Sequence, residues 1–198
     1  MAKGLTEMTL AELWELFPIE LTEHRQEWAT QYSQMEARLR RILSPCGAFR
    51  ISHVGSTAIA GIWAKPIVDV LVELDESEDL DAAVVLLEHG GLLTMSRDPL
   101  RASLNSGYTP EGFAHDVFHV HLRLAGDNDE LYFRDYLNDH PDLAREYEEL
   151  KLDLWPRFEH DRDGYTQAKG DFVRRATSLA RAAYGSRYAP TVTKRSSR

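Results

Sequence analysis

Residues 53–73 read HVGSTAIAGIWAKPIVDVLVE, and this stretch decides the fold. A strand-like run ends in a Gly-Ser-Thr turn at 55–57, and a second apolar run follows over 66–74. Short apolar segments rich in Ile and Val and bounded by turn residues are typical of buried strands. The stretch therefore predicts two strands joined through a glycine turn, with one carboxylate, Asp69, inside the second strand.

The segments on either side combine helical and strand-like patterns. Apolar residues recur at three- and four-residue steps over 26–43, which predicts an amphipathic helix. A second helix is predicted over 77–91, with Ser77 as its N-cap and Gly90 as its C-terminal stop. Residues 92–112 contain several prolines and glycines, and we interpret them as loops or a frayed hairpin.

In the second half of the chain, a strand pattern is followed by a helical pattern of apolar residues. Residues 116–124 alternate strictly, which predicts a strand with Phe118 and His119 on opposite faces. Residues 129–184 keep a helical periodicity, and two prolines and a DRDG stretch divide them into three predicted helices. This order favours an α+β fold, with a mixed sheet and a C-terminal helical block, over a doubly wound parallel sheet.

We predict four parts along the chain. An N-terminal extension with a short helix occupies residues 1–17, and the α+β core occupies 18–126. A helical block packed on the core follows over 127–185, and a flexible tail completes the chain over 186–198.

The composition limits the classes of function. The 198-residue chain has a net charge of −9, which disfavours general nucleic-acid binding but allows a small phosphorylated ligand in a local basic pocket. Cys46 is the only cysteine, so an intrachain disulfide and a cysteine-rich metal site are excluded. Because no apolar run could span a bilayer and the first residues lack a signal pattern, we expect a cytoplasmic protein with no membrane partner.

Asp69 shares a face of its predicted strand with Leu71, because side chains alternate with a period of two. Two-metal phosphoryl-transfer sites place carboxylates at positions i and i+2, where both bracket the same divalent ions. Leu71 fills the second position here, and Glu73 lies roughly 13 Å further along the strand. Asp69 is therefore either part of a different kind of site or a strand-end residue that hydrogen-bonds a nearby turn.

His119 and His121 lie on one face of their predicted strand, with a spacing that strand-borne metal ligands often have. His53, just before the glycine turn, could reach the same region. With Asp69 these side chains predict either a site for a divalent ion or a set of acid–base groups around an anion. The simpler interpretation of an isolated His-x-His pair is a half-exposed polar strand face.

The turn formed by Gly55, Ser56 and Thr57 offers backbone N–H groups to an anion, as a phosphate nest does. Lys65 could add a positive charge for a phosphate group. The alternatives are an ordinary turn and a solvated loop lysine, since both features are common in proteins.

Three segments in the same order resemble the signature of the GrpB family: HVGSTAIAGIWAKPIVDVLVEL, FHVHL, and LYFRDYLNDHPDLAREYEELKLDLWPRF followed by DRDGYTQAKGDFV. The resemblance extends from about Pro18 to about Ala180. It implies a nucleotidyltransferase-like fold, a small mixed sheet flanked by helices, with an ancestral nucleotide site. The family signature also lacks the second strand aspartate. Ala60 replaces the usual proline of the turn, and HRQEW (24–28) replaces a more usual Tyr-Asp-Pro-x-Trp.

The residues and the resemblance together assign candidate roles. Asp69, His119 and His121 are the predicted catalytic residues and the predicted ligands of a divalent ion, Mg²⁺, Mn²⁺ or Zn²⁺. The predicted contacts to substrate or phosphate are His53, Gly55, Ser56, Thr57, Lys65, Tyr147, Lys151, Tyr165 and Lys169.

The two Tyr-Lys pairs in that set have i,i+4 spacing, so each pair shares a helix face and could line an anion pocket with Arg134 or Arg162 nearby. Amphipathic packing, with a half-buried tyrosine and an extended lysine, is the alternative.

Three functions are compatible with these residues. The first is a transferase, with or without a metal ion, that acts on a nucleotide or another small phosphorylated or anionic substrate through an atypical site. The second is a non-catalytic module that binds such a ligand, and the missing second carboxylate favours it. The third is a partner-binding domain that uses the helical block as its contact surface, which leaves the histidine strand unexplained.

Overall fold

The helices and strands follow the alternation of patterns in the sequence. The computed structural model describes residues 3–190, and within them it contains five strands and seven α-helices. The strands are β1 (Phe49–Val54), β2 (Val68–Leu74), β3 (Leu93–Arg97), β4 (Arg101–Thr109) and β5 (Gly112–Leu124). The helices are α1 (Leu10–Leu16), α2 (Glu27–Ile42), α3 (Leu80–His89), α4 (Asp129–Asp139), α5 (Pro141–Leu154), α6 (Arg162–Ala168) and α7 (Gly170–Tyr184).

The five strands form one mixed sheet in the order β1-β2-β5-β4-β3. Strands β2 and β5 run parallel, and the other neighbouring strands are antiparallel. The parallel register places Asp69 opposite His119 and Leu71 opposite His121. Because paired residues share a face, the predicted aspartate and histidine strands are brought side by side.

The two faces of the sheet are covered by different parts of the chain. On one face Val70, Val72 and Val120 are fully buried against a core that includes Trp28 of α2 and Leu87 of α3. Asp69 and Leu71 point to the opposite face, where Leu71 packs with Val54 and with Leu131 of α4. The predicted alternation of both central strands is therefore confirmed, and the site lies on the face that the helical block covers.

The loop between β1 and β2 is held between the sheet and the helical block. Asn138 of α4 donates to the Ala58 carbonyl at 3.0 Å and accepts from the Ala60 amide at 2.9 Å. On α5, Glu148 accepts from the Trp63 amide at 2.6 Å, and Lys151 donates to the Trp63 carbonyl. The position of the glycine turn and of Lys65 therefore depends on two helices that are distant in sequence.

Residues 92–112 contain β3 and β4, which pair antiparallel, so their interpretation as loops is wrong and the alternative of a hairpin is confirmed. The prolines and glycines fall in the connections and at a β-bulge between Ser106 and Tyr108. Gly107 lies in this bulge with a φ of +92°, a conformation that favours glycine. Turn-forming residues marked irregularities within a long hairpin here, not the absence of strands.

Two details of the helix predictions are also corrected. Asp79, not Ser77, caps α3, because the Asp79 carboxylate accepts from the amides of Asp81 and Ala82. Ser77 instead donates to Asp75 at 2.6 Å in the preceding turn. The helical block contains four helices instead of three, since a break at Lys169 separates α6 from α7.

The division of the chain into an N-terminal extension, a core, a helical block and a tail stays a prediction. Helix α1 lies in the predicted N-terminal extension, and the Thr9 side chain accepts from the Glu12 amide as an N-cap. Residues 191–198 of the predicted tail lie outside the described residues, as do residues 1 and 2. In the described part of the chain, every helix is too short or too polar to cross a membrane.

Candidate functional site

Gly55 brings the turn after β1 into direct contact with Asp69. Its φ is +72° and its ψ is −171°, a combination that side-chain-bearing residues rarely adopt. A Cβ added to Gly55 would lie 2.3 Å from Asp69 Oδ2, so there is room only for glycine. The glycine therefore serves a close approach of backbone to carboxylate.

Asp69 is the centre of a hydrogen-bonded chain across three strands. His121 Nε2 lies 3.1 Å from Asp69 Oδ1, and His119 Nδ1 lies 3.4 Å from the same oxygen. On its other side His119 Nε2 is 2.8 Å from the Tyr108 hydroxyl, which accepts from Arg162 at 2.9 Å. The chain links the carboxylate on β2 to a guanidinium in the helical block.

The charge states along this chain follow from its surroundings. Burial alone would raise the pKa of Asp69, but the hydrogen bonds from His119 and His121 outweigh it and hold the pKa well below its usual value. Burial lowers the pKa of His119, and Asp69 offsets this only in part. A neutral His119 donates from Nδ1 to Asp69 and accepts from Tyr108 at Nε2, which satisfies both neighbours.

The predicted metal ligands do not present a coordination set in this arrangement. Both imidazoles direct a nitrogen to one oxygen of Asp69, and the other nitrogen of His119 is engaged by Tyr108. Among the described residues there is no cluster of three or more His, Cys, Asp or Glu side chains arranged to hold a metal ion. A divalent ion at Asp69, His119 and His121 stays a prediction.

A cavity of about 320 Å³ opens between the turn, the sheet and the helical block. Asp69 and His119 line it on the sheet side. It also contains seven of the nine predicted substrate-contacting residues: Gly55, Ser56, Lys65, Tyr147, Lys151, Tyr165 and Lys169. The structure thus brings together residues from the turn after β1, from β2, β5, α5 and α6, and from Lys169 directly after α6, which the sequence separates by up to 114 positions.

The cavity concentrates positive charge in an acidic protein. Three of the five lysines in the chain line it, together with Arg162. Within residues 3–190 none of these four side chains forms a salt bridge with a carboxylate. Lys65 and Lys169 lie 5.5 and 4.4 Å from the centre of the Tyr165 ring, and Lys151 lies 4.9 Å from that of Tyr147.

Burial and mutual repulsion change the protonation of these lysines. Burial, reinforced by the charge of Lys169, lowers the pKa of Lys151 to about 7. Burial also holds the pKa of Lys65 well below its usual value, and the charges of Lys169 and Arg162 act in the same direction. An ammonium group in such a place is stabilised by a negative partner, and in the described residues none of these lysines has one within salt-bridge distance.

Two predicted substrate-contacting residues lie outside the cavity. His53 is opposite Val70 in the register, so it faces the α2 side and stacks on Tyr32 at 4.9 Å. Its Nε2 is 2.9 Å from the Thr57 hydroxyl, and Thr57 is buried. Burial lowers the pKa of His53 to about 4, so this pair is a neutral support for the turn.

His121 also stays outside the cavity and acts on it through Asp69. Its Nδ1 is buried and has no hydrogen-bond partner in the described part of the chain. Arg134 donates to the His53 carbonyl at 2.8 Å instead of lining the cavity. Tyr108, which orients His119, was not predicted, because it lies in the segment interpreted as loops.

Residues 18–179 match the family described as GrpB protein. The chain belongs to the GrpB family. A UPF0157 protein of Pseudomonas aeruginosa is 36% identical over 168 residues, which are 83% of this chain and 69% of that protein. The UPF0157 protein YqkA of Bacillus subtilis is 28% identical over 186 residues, which are 91% of this chain but 52% of that protein. The GrpB chain thus spans about half the length of the Bacillus relative.

Two solved structures have a similar fold, and one of them is a GrpB protein. Conserved protein GrpB from Enterococcus faecalis is similar with a TM-score of 0.71 and 27% identity, covering 83% of this chain and 99% of that one. A chain of the GLD-2/RNP-8 complex is similar with a TM-score of 0.51 and 10% identity, covering 86% and 69%. The fold of this GrpB protein is nucleotidyltransferase-like, as the sequence resemblance implied.

The GrpB site departs from a two-carboxylate strand at a defined position. Leu71, the i+2 neighbour of Asp69, is fully buried with Val54 and Leu131. Glu73 is also buried, and it is engaged by Arg50 at 2.5 Å and by Asn128 at 2.9 Å. Asp69 is therefore the single carboxylate that β2 contributes to the cavity.

Proposed function

We propose that this GrpB protein binds a nucleotide or another small phosphorylated molecule in the cationic cavity. The observation that carries the proposal is the set of Lys65, Lys151, Lys169 and Arg162 around one cavity, none of which forms a salt bridge within the described residues. A phosphate chain would supply the missing negative charge and several hydrogen-bond acceptors at once. The net charge of −9 makes this positive region local, which fits a small anion better than a polyanion.

Asp69 supports an extension of the proposal to group transfer from the bound ligand. Its carboxylate is ionised, lies at the wall of the cavity and contacts the glycine turn. His119 and His121 fix its orientation through the hydrogen bonds described above. In this version Asp69 is the catalytic residue, and the two histidines are positioning residues.

A second candidate function is ligand binding without catalysis. The observation in its favour is Leu71, which fills the position of a second strand carboxylate with a buried apolar side chain. The cationic cavity would then retain an anion for regulation or storage, and Asp69 would only orient the turn.

The binding proposal is tested by titration calorimetry with inorganic tripolyphosphate and with ATP. Charge-assisted hydrogen bonds contribute about 1.5–3 kcal/mol, so Lys169→Met should weaken both ligands about ten- to hundredfold. Lys3→Met is the matched control, because Lys3 is exposed and pairs with Glu12 far from the cavity. Equal affinities for the wild type and Lys169→Met would contradict the proposal.

The transfer version is tested by mass spectrometry after incubation with the four common ribonucleoside triphosphates. The screen is run with and without Mg²⁺, Mn²⁺ and Zn²⁺, and Asp69→Asn is measured in parallel. Product formation that Asp69→Asn abolishes, while tripolyphosphate affinity is retained, supports transfer. Tight binding with no product in any condition favours the second candidate.

A further inference from the structure

A second hollow of about 160 Å³ adjoins the cationic cavity. Lys65, Ile67 and Arg162 line both spaces, so the two adjoin at these side chains. The second hollow extends away from the helical block, towards the segment before α2 and the first residues of β5. We call it the apolar slot, lined by Pro18, Pro66, Ile67, Phe113, Ala114 and Val117.

The walls of the apolar slot differ from those of the cavity. Two prolines and a phenylalanine provide flat apolar surfaces, and Ile67 and Val117 are each 5% exposed. Phe113 is 38% exposed, although its ring packs against Phe17 at 4.9 Å and Tyr108 at 5.1 Å. An exposed aromatic ring held by two others is a rigid surface, which is what a planar ligand needs for stacking.

Polar groups occur at the edge of the slot and at its junction with the cavity. Glu20, Arg25 and His115 also line the slot and could hydrogen-bond the edge of a ring. At the junction Arg162 lies 5.8 Å from the centres of both the Phe113 and the Tyr108 rings. Arg162 donates to the Phe17 carbonyl at 3.0 Å and to Tyr108, so its guanidinium is fixed between the two spaces.

We propose that the apolar slot binds the planar heteroaromatic part of the same ligand whose phosphates occupy the cationic cavity. The inference rests on the proposed function and narrows its substrate class to phosphorylated molecules that carry a flat ring, such as nucleoside triphosphates. The geometry requires a ligand with a charged end and a flat end, joined at Lys65 and Arg162. Phosphate contacts then supply the charge-dependent affinity, and the slot supplies the discrimination between ligands.

The test fills the slot without touching the cavity. Ala114 is exposed, and it lines the slot but not the cavity. Ala114→Trp should therefore fold and should exclude a ring from the slot. Ala182→Trp on the exposed face of α7 is the matched control. Phe113→Ala removes the stacking surface instead of filling the space, and it serves as the second variant.

Affinities for ATP, GTP, CTP and UTP are compared with that for inorganic tripolyphosphate, by calorimetry on the full chain. Loss of base stacking lowers affinity about ten- to hundredfold, so both slot variants should weaken the tightest nucleotide by this factor. Their affinity for tripolyphosphate should stay within about twofold of the wild type.

The outcomes separate the two proposals. Slot variants that weaken nucleotide and tripolyphosphate equally, or neither of them, overturn the ring-binding slot while the cavity proposal stands. A wild-type protein that binds neither nucleotide nor tripolyphosphate overturns the proposed function itself. Weakening by Ala182→Trp as large as that by Ala114→Trp also counts against the slot.

Discussion

Lys151 makes the stability of the protein depend on pH in a way that can be calculated. The side chain is 1% exposed, and burial lowers its pKa from 10.5 to about 7. A lysine whose pKa is lower in the folded state than in the unfolded state destabilises the fold. The destabilisation is largest below pH 7, where the lysine is protonated in both states. That destabilisation is relieved as the pH rises from about 7 towards 10.5, because the unfolded chain then binds more protons than the folded one.

The magnitude follows from the shift of about 3.5 pKa units. At about 1.4 kcal/mol per unit, the destabilisation by Lys151 is about 5 kcal/mol at pH 6 and about 2 kcal/mol at pH 9. The wild type should therefore gain about 3 kcal/mol from this residue between pH 6 and pH 9. For a chain of this length, that gain raises the melting temperature by about 6–12 °C.

The assay is thermal unfolding of wild type and Lys151→Met from pH 6 to pH 9. Methionine keeps the length of the side chain and has no charge, so the variant should lack this part of the pH dependence. The loss of the hydrogen bond to the Trp63 carbonyl adds an offset that does not vary with pH. Lys3→Met should follow the wild type across the range. A difference between wild type and Lys151→Met that is constant with pH would refute the reasoning.

Three further predictions follow from the same contacts. Tripolyphosphate binding at pH 8 should be accompanied by proton uptake, because a bound anion raises the low pKa of Lys151. Calorimetry in buffers of different ionisation enthalpy measures the uptake. Lys151→Met should reduce it. Gly55→Ala should lower the melting temperature more than Gly61→Ala does, and it should weaken tripolyphosphate binding. Both glycines have a positive φ, but an added Cβ would collide with Asp69 only at position 55. Equal losses in the two variants would show that backbone strain alone matters. Tyr165→Phe should leave stability unchanged or raise it by about 1–3 kcal/mol, because the buried Tyr165 hydroxyl has no partner among the described residues. The same variant should weaken nucleotide binding about tenfold if that hydroxyl contacts the ligand, as calorimetry would show.

The central strands and the glycine turn were predictable because their signals are local. Period-two alternation placed Asp69 and Leu71 on one face, and it placed His119 with His121 on one face. Local patterns do not determine which strands become neighbours, so the parallel pairing that sets Asp69 beside His119 was visible only in the structure. The same limit explains why His53 was predicted among the substrate contacts although it lies outside the cavity. The sequence shows that His53 is close to the glycine turn, but it does not show which face of the sheet His53 occupies.

The helical contribution to the cavity shows a different limit. The i,i+4 spacing of Tyr147 with Lys151 gives their common helix face, but it does not say what that face meets. Only the family resemblance favoured an anion pocket over amphipathic packing. Tyr108 was missed because the bulge glycine at position 107 is a turn signal in sequence and a kink within a long strand in the structure.

The packing of Leu71 has a consequence for how this protein could change over evolutionary time. A Leu71→Asp substitution would create a carboxylate pair in sequence, but it would place a charge in the buried apolar contact with Val54 and Leu131. Helix α4 would have to move before that carboxylate could reach the cavity, and α4 also holds the loop between β1 and β2 through Asn138. A two-carboxylate site therefore requires a change in the packing of α4 in addition to a substitution on β2, and a single substitution on β2 would not produce it.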